Sequence, residues 1–291
     1  YGLAADARQP DAVARIFEIK GRPADHPLIV HLADPSDIDE WAINVPDTAR
    51  RLAEFAWPGP LTMLLHRADG VIDLVTGGRS TIGLRVPSHP LTRRLLARLG
   101  SGIAAPSANR FGRVSPTTAE HVLADIGDRL DPERDLILDG GPSSIGIEST
   151  IVDLTVNPPQ ILRAGAITAD DLEWILSGDL ADASGPSRTS GMLAAHYAPA
   201  LVIVVPAESR AAAETEAVDR RQGGERVVVL DRTNDLVVAA QQLYTDLREA
   251  DAGLLDAVIV VLPPAQGLGH AIRDRVLKAA AANPGPPSPT G

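Results

Sequence analysis

The chain has 291 residues, a formal net charge of -11, 44% hydrophobic and 22% charged residues, and no cysteine. This balance fits a globular fold of one large or two smaller domains. It excludes disulfides, thiolate nucleophiles and zinc–thiolate sites. The acidity argues against a broad nucleic-acid-binding face but leaves room for a local basic cleft. No apolar run approaches the roughly 20 residues of a membrane span. The sequence opens on Tyr1 rather than methionine, so residues are expected before it and a targeting segment stays an open question. The absence of cysteine points to a reducing cytoplasm.

In chain order, the pattern predicts a helix over Asp11–Lys20, with Val13, Ile16 and Phe17 on one face and Gly21 as the stop. A short apolar strand follows at Leu28–Leu32. Asp34-Pro35-Ser36 opens a second helix, with proline in its permitted first turn. Trp57-Pro58-Gly59-Pro60 is a rigid turn before the apolar Leu61–Leu65. Over Thr81–Val86, Ile82, Leu84 and Val86 face one way and Thr81, Gly83 and Arg85 the other. His89–Leu99 is a helix ending at Gly100, and Thr117-Thr118-Ala119-Glu120 fits a capping box. Leu136–Leu138, Ser149–Leu154 and Gln160–Arg163 are predicted strands, and Thr168 caps a helix to Leu176.

Residues 178–199 turn rich in Gly, Ser, Asp, Ala and Pro and are expected to form a linker. Beyond it, strands at Leu201–Val205, Val227–Leu230 and Ala257–Leu262 alternate with helical stretches near 209–220, 237–250 and 268–282. That is the pattern of a small, parallel, doubly wound domain. The division expected is therefore 1–177, a linker at 178–199, 200–283, and a disordered Pro/Ser/Gly tail at 284–291.

Lys20-Gly21-Arg22-Pro23 places two cations at a helix end, where they serve as C-terminal caps or as anion ligands. Arg85 and Thr81 share a strand face that is either a solvated surface or the floor of an anion site. Pro106-Ser107-Ala108-Asn109 is complete as a turn, and Ser115-Pro116-Thr117 as a helix start, yet both offer small hydrogen-bonding groups. The loop Gly140–Gly146 lets backbone approach a phosphate but lacks the Gly-Lys-Ser/Thr of a P-loop. The seven histidines show no paired metal-ligand spacing, so no protein metal site is expected. His31, at a strand end, fits an ordinary edge histidine.

The order of these segments carries a resemblance. Tyr1-Gly2-Leu3, Lys20-Gly21-Arg22-Pro23, Pro58-Gly59-Pro60-Leu61-Thr62, Gly83-Leu84-Arg85-Val86-Pro87, Pro106-Ser107-Ala108-Asn109, Glu148-Ser149-Thr150-Ile151 and Leu162-Arg163-Ala164-Gly165 resemble the YrdC-like family. His196-Tyr197-Ala198-Pro199, Leu243-Tyr244, Leu247-Arg248 and Gly267-Leu268-Gly269 are similar to its long, two-domain form. The resemblance implies a mixed α/β catalytic domain followed by a small Rossmann-like domain. It implies the synthesis of L-threonylcarbamoyladenylate and pyrophosphate from L-threonine, bicarbonate or CO2, and ATP with Mg2+, serving tRNA modification through a downstream transferase. By the same resemblance Lys20, Arg22, Ser107 and Asn109 form the catalytic tetrad. Arg22, His26, Thr81, Ser107, Ser115 and Arg163 contact the nucleotide, with Tyr197 closing over it, and His31, Arg85, the backbone around Ala105, and Ser149 hold threonine.

Three departures stand out. The family's Thr-Val before Tyr1 lies outside this sequence, His26 stands where asparagine is common, and Ser190 replaces a frequent proline. Two other functions compete. An RNA-binding module of the same fold is disfavoured by the charge of -11. A carbamoyl-transfer domain of hydrogenase maturation would bring cysteine-rich zinc segments that this chain lacks.

Overall fold

The computed structural model describes residues 1–176, 178, 180–184, 196–199 and 201–282. By internal packing the chain divides into two units. One comprises Tyr1–Phe111, Thr118–Gly141 and Glu148–Met192, the other Gly112–Thr117, Pro142–Ile147 and Leu193–Gly291.

The first unit runs β1 (Ala5–Asp6), α1 (Pro10–Lys20), β2 (Ile29–His31), a 3-10 turn at Pro35–Asp37, α2 (Ile38–Trp41), β3 (Ala42–Ile43), α3 (Asp47–Ala56) and β4 (Leu61–Arg67). It continues with α4 (Asp73–Thr76), β5 (Thr81–Arg85), α5 (Pro90–Leu99), β6 (Ile103–Ala104), α6 (Ala119–Ile126), β7 (Thr150–Asp153), β8 (Gln160–Arg163), α7 (Ala169–Leu176) and β9 (Ala181–Asp182). The strands form one mixed sheet in the order β1-β6-β2-β5-β4-β7-β8-β9, with β3 paired to β4.

The two-residue period of the strands sorts side chains between its faces. Val30, Leu61, Met63, Leu65, Ile82, Leu84 and Val152 join Val13, Ile16 and Phe17 of α1 and Ala49, Leu52 and Ala53 of α3 in the main core. Their sequence neighbours His31, Thr62, Gly83, Arg85 and Ile151 therefore point to the other face. The sequence alternation predicted this split for β5, and the same parity extends it across the sheet.

Local signals set the ends of the elements. Gly21 ends α1 in the left-handed region at φ 62°, a conformation that favours glycine, and the Arg22 amide donates back to the Phe17 carbonyl at 3.0 Å. Asp34 and Asp37 close a capping box on the 3-10 turn. The start of α6 differs from the prediction. Thr118, not Thr117, is the cap, accepting from the His121 amide at 3.3 Å, so Glu120 lies too early to complete a box. The predicted strand at Leu136–Leu138 is irregular backbone that pairs with no strand among the described residues, and Leu136 is 80% exposed. Helix α3 is absent from the predicted elements, although Ala49, Leu52, Ala53 and Ala56 repeat at helical spacing and are buried.

The second unit is β10 (Ile203–Ala207), α8 (Arg210–Gln222), β11 (Val227–Leu230), α9 (Leu236–Ala252), β12 (Ala257–Val261) and α10 (Leu268–Ala282). Its sheet is parallel in the order β10-β12-β11, the doubly wound pattern predicted. Its central strand β12 is buried along its whole length. Two loops from the sequence before residue 177 pack with this unit. The Ser143 amide donates to the Thr117 carbonyl at 2.9 Å, Gln241 Nε2 to the Ser144 carbonyl at 2.7 Å, and Arg248 Nη2 to the Val114 carbonyl.

Candidate active site

Four cations gather in the first unit as two pairs. The first pair is Lys20 and Arg22. Lys20 is the last residue of α1 and is 3% exposed. Its Nζ donates to the Ser107 carbonyl, to the Asn109 carbonyl at 2.6 Å and to Asn109 Oδ1 at 3.1 Å, which spends all three ammonium protons. The turn 107–109 is tied from its other side by the Ala108 amide donating to the Tyr1 carbonyl at 3.0 Å. Lys20 therefore shapes the Ser107–Asn109 turn while bringing a positive charge under it. Burial, and then the charge of Arg22, pushes Lys20 down to about 7.

Arg22 follows the reversal at Gly21. It is 8% exposed, donates through Nη2 to the Pro27 carbonyl at 3.0 Å, and lies 5.5 Å over the Phe111 ring. Burial lowers it to about 10, against the opposing pull of Asp25. His26 meets the same ring edge-on at 5.2 Å, and burial together with the charge of Arg22 keeps it below the usual histidine range. Phe111 is thus a common wall for two predicted nucleotide ligands, a role the sequence did not suggest.

The second pair is Arg85 and Arg163. Arg85 closes β5 beside His31 of the parallel strand β2. Its Nε donates to the Gly59 carbonyl at 2.8 Å, and its two terminal nitrogens make no hydrogen bond among the described residues. Gly59 has to be glycine, because a Cβ there would lie 2.2 Å from the Ala56 carbonyl oxygen. Burial first, then repulsion from Arg163, pushes Arg85 down to about 10. Burial and the charge of Arg85 push His31 down to about 3, so the ring is neutral at physiological pH. His31 Nδ1 is enclosed with no hydrogen-bond partner among the described residues.

Arg163, at the end of β8, grips the residue before β7. Its Nε donates to the Ser149 carbonyl and its Nη2 to Ser149 Oγ, both at 2.9 Å. Ser149 Oγ also lies 2.8 Å from Thr62 Oγ1, which is fully buried. Met63 of β4 pairs with Leu84 of β5, so the next step of that antiparallel register faces Thr62 with Arg85. His31, Arg85 and Thr62 thus form a row across three strands at roughly 5 Å per strand, and Ser149 adjoins Thr62 from the residue before β7.

The predicted residues are not all gathered here. Thr81 stands at the opposite end of β5, paired with His66, about 13 Å along the strand from Arg85. The Ala105 amide is committed to the Ile29 carbonyl at 3.0 Å. Ser115 and Tyr197 belong to the second unit. Ser115 is buried and its carbonyl accepts from Arg248 Nε at 3.4 Å. Tyr197 is 1% exposed, stacked on Tyr244 with ring centroids 5.6 Å apart and with Arg275 5.4 Å over its ring. Most of the predicted linker, including Ser190, lies outside the described residues, as does the tail 284–291. Among the described residues no three His, Asp or Glu side chains could together hold a metal ion, and no helix is long and apolar enough to cross a membrane.

Thr62 is the residue that the sequence reading quoted without a role. Its signal was parity: it directly follows a core leucine in a strand whose other face carries the site.

Comparison with known proteins extends the geometry. Residues 1–165 match the family Sua5_yciO_yrdC, described as "Telomere recombination", and residues 167–281 match "Threonylcarbamoyl-AMP synthase, C-terminal domain". The threonylcarbamoyl-AMP synthase of Bacillus subtilis is 37% identical over 303 residues, covering 96% of this chain and 86% of that protein. The one from Pyrococcus abyssi is 34% identical over 304 residues, covering 96% and 87%. The crystal structure of P. abyssi Sua5 complexed with L-threonine aligns with a TM-score of 0.89 at 34% identity, covering 97% of this chain and 88% of that one. These likenesses favour an enzyme over an RNA-binding module of the same fold. The chain belongs to the threonylcarbamoyl-AMP synthase family, in its two-domain form.

Proposed function

We propose that this chain joins L-threonine, carbon dioxide or bicarbonate, and ATP into threonylcarbamoyl-AMP, with release of pyrophosphate. The observation that carries this is the pairing of like charges in an acidic protein: Lys20 with Arg22, and Arg85 with Arg163. Burial first, and then the like charge beside it, pushes Lys20 and Arg85 towards their neutral forms. Holding cations together in this way costs stability, and bound anions offset it. ATP brings several negative charges and threonine one carboxylate.

The residues divide the work. Arg85, fixed through Nε, presents its free fork to the amino-acid carboxylate. Neutral His31 beside it offers a ring nitrogen to a polar atom of the same ligand. In the reaction the threonine amine adds to carbon dioxide and loses a proton, giving a carbamate. A carbamate oxygen then attacks the α-phosphorus of ATP, the bond from that phosphorus to the bridging oxygen breaks, and pyrophosphate leaves. Negative charge on the phosphoryl oxygens is met by Lys20, Arg22 and the small groups of the Ser107–Asn109 turn. Holding both substrates in one site removes much of the entropic cost of their meeting. No side chain serves as a covalent nucleophile. Mg2+ enters on the nucleotide's phosphates, and none of these roles depends on a protein ligand for it.

Three further assignments belong to this proposal. Ser149 completes the threonine side, and Arg163, which holds it, reaches the nucleotide. Tyr197, at the end of the predicted linker, reaches the nucleotide. The product passes to a transferase acting on tRNA, in a cytoplasmic setting that suits a chain without cysteine. Pyrophosphate release measured with ATP, bicarbonate and a panel of amino acids tests the reading. Release that depends on threonine supports it; release indifferent to the amino acid refutes it.

A further inference from the structure

The hydroxyl of Thr62 has one hydrogen-bond partner among the described residues, Ser149 Oγ at 2.8 Å. Thr62 is fully buried and Ser149 is 3% exposed. A hydroxyl carries one proton and two lone pairs. One lone pair of Ser149 Oγ is taken by Arg163 Nη2 at 2.9 Å, because a guanidinium can only donate. Two arrangements of the remaining protons follow. If Ser149 donated to Thr62, the Thr62 proton would be buried without an acceptor, which is costly. If Thr62 donates to Ser149, both lone pairs of Ser149 are filled and the Ser149 proton is left to point elsewhere. In the second arrangement the proton left over belongs to Ser149, the less deeply buried of the two, where a bound ligand can accept it.

We infer that Thr62 is a positioning residue: by donating to Ser149 it fixes Ser149 as a hydrogen-bond donor towards an acceptor oxygen of the bound amino acid. This rests on the proposed reading of Ser149 as part of the threonine side of the site. Three placements support it. Thr62 faces Arg85 across the β4–β5 register, on the sheet face opposite the main core. A Cβ built at Gly83 would lie 3.4 Å from Thr62 Cγ2, which places the Thr62 side chain over Gly83 on this same face. Arg163 holds Ser149 by both its carbonyl and its hydroxyl, so the serine cannot turn to find another acceptor. The cation also strengthens Ser149 as a donor, since charge-assisted hydrogen bonds polarise their neighbours.

The test is steady-state kinetics and L-threonine titration calorimetry on the full chain, for wild type, Thr62→Val, Thr62→Ser, Ser149→Ala and the Thr62→Val/Ser149→Ala double variant. The expected result is a KM and Kd for threonine raised roughly tenfold in Thr62→Val, the worth of about one hydrogen bond. The KM for ATP stays within about twofold, and Thr62→Ser, which keeps the hydroxyl, recovers threonine binding. In the Ser149→Ala background Thr62→Val adds nothing further, since its effect runs through Ser149. If Thr62→Val does not fold by circular dichroism, Thr62→Ala carries the same comparison. Threonine binding unchanged in the valine variant overturns the inference, as does an equal loss for ATP, or a full effect that persists without Ser149. A wild-type protein that does not bind threonine at all overturns the functional reading itself, an outcome separable from these.

Discussion

Arg85 Nε donates to the Gly59 carbonyl at 2.8 Å, and that bond turns a strand-end arginine into an aimed fork. The carbonyl belongs to the turn at Trp57-Pro58-Gly59-Pro60, whose Gly59 amide in turn donates to the Val86 carbonyl at 2.9 Å. The turn and the strand therefore hold each other, and both terminal nitrogens of Arg85 are left for a ligand.

Arg85→Lys is expected to weaken threonine binding by about tenfold or more while ATP binding changes little, because lysine keeps the charge and loses the planar two-point contact and the Gly59 anchor. Calorimetric titration of each ligand checks this. Equal losses for both would make Arg85 a structural residue.

Arg22→Ala is expected to reduce adenylate formation at least a hundredfold. On the proposed reading the side chain contributes charge-assisted bonds at the phosphate side, and it packs on Phe111. Lost packing should cost about 1–2 kcal/mol of stability, so the variant still folds. Thermal melting and pyrophosphate release on the same sample separate the two effects. Near wild-type release would remove Arg22 from the site.

Lys20 gives opposite pH trends for stability and for ligand binding. In the folded chain its burial and the neighbouring Arg22 bring it to about 7, with Asp125 of α6 pulling the other way. Unfolded, it keeps its proton to about pH 10.4. Below pH 7 the full cost of the buried cation is present. From there to about pH 10 the unfolded state binds more protons, so this group's contribution to stability rises with pH. ATP affinity should instead fall above pH 7.5, as the cation under the Ser107–Asn109 turn is lost. Calorimetric Kd values for ATP from pH 7.5 to 9 check this, with Lys20→Met expected to show a flat profile. Wild-type affinity independent of pH over that range would contradict the assignment.

Alternation in Thr81–Val86 placed Arg85 on the face away from the core, and Gly21 marked the reversal that presents Arg22. Both signals are local. The Thr62–Ser149–Arg163 contacts were not legible, because they arise where β4, β7 and β8 are brought side by side by pairings remote in sequence. The strand predicted at Leu136–Leu138 failed for the converse reason: an apolar pattern makes a strand only where a partner strand exists. The loops 112–117 and 142–147 gave no local sign of packing with the second unit, since several of their ties are backbone carbonyls accepting from Gln241 and Arg248.

Tyr197→Ala bears on both stability and the proposed contact with the nucleotide. The ring is buried between Tyr244 and Arg275, and His196 holds the same turn through its Nδ1, which accepts from the Tyr197 amide at 2.9 Å. Its removal should lower stability by about 3 kcal/mol. If Tyr197 also closes over the nucleotide, limited proteolysis within 178–199 should slow in wild type when ATP and threonine are added, and this protection should vanish in the variant. Equal cleavage rates in both states of the wild type would leave Tyr197 a packing residue of the second unit.

The central claim is that one site joins threonine, carbon dioxide and ATP. Incubation with 13C-bicarbonate, ATP and L-threonine, followed by mass spectrometry, tests it most directly. The expected product is threonylcarbamoyl-AMP carrying one labelled carbon, formed in step with pyrophosphate and abolished when threonine is omitted. Pyrophosphate release without threonine, or a nucleotide product free of label, would contradict it.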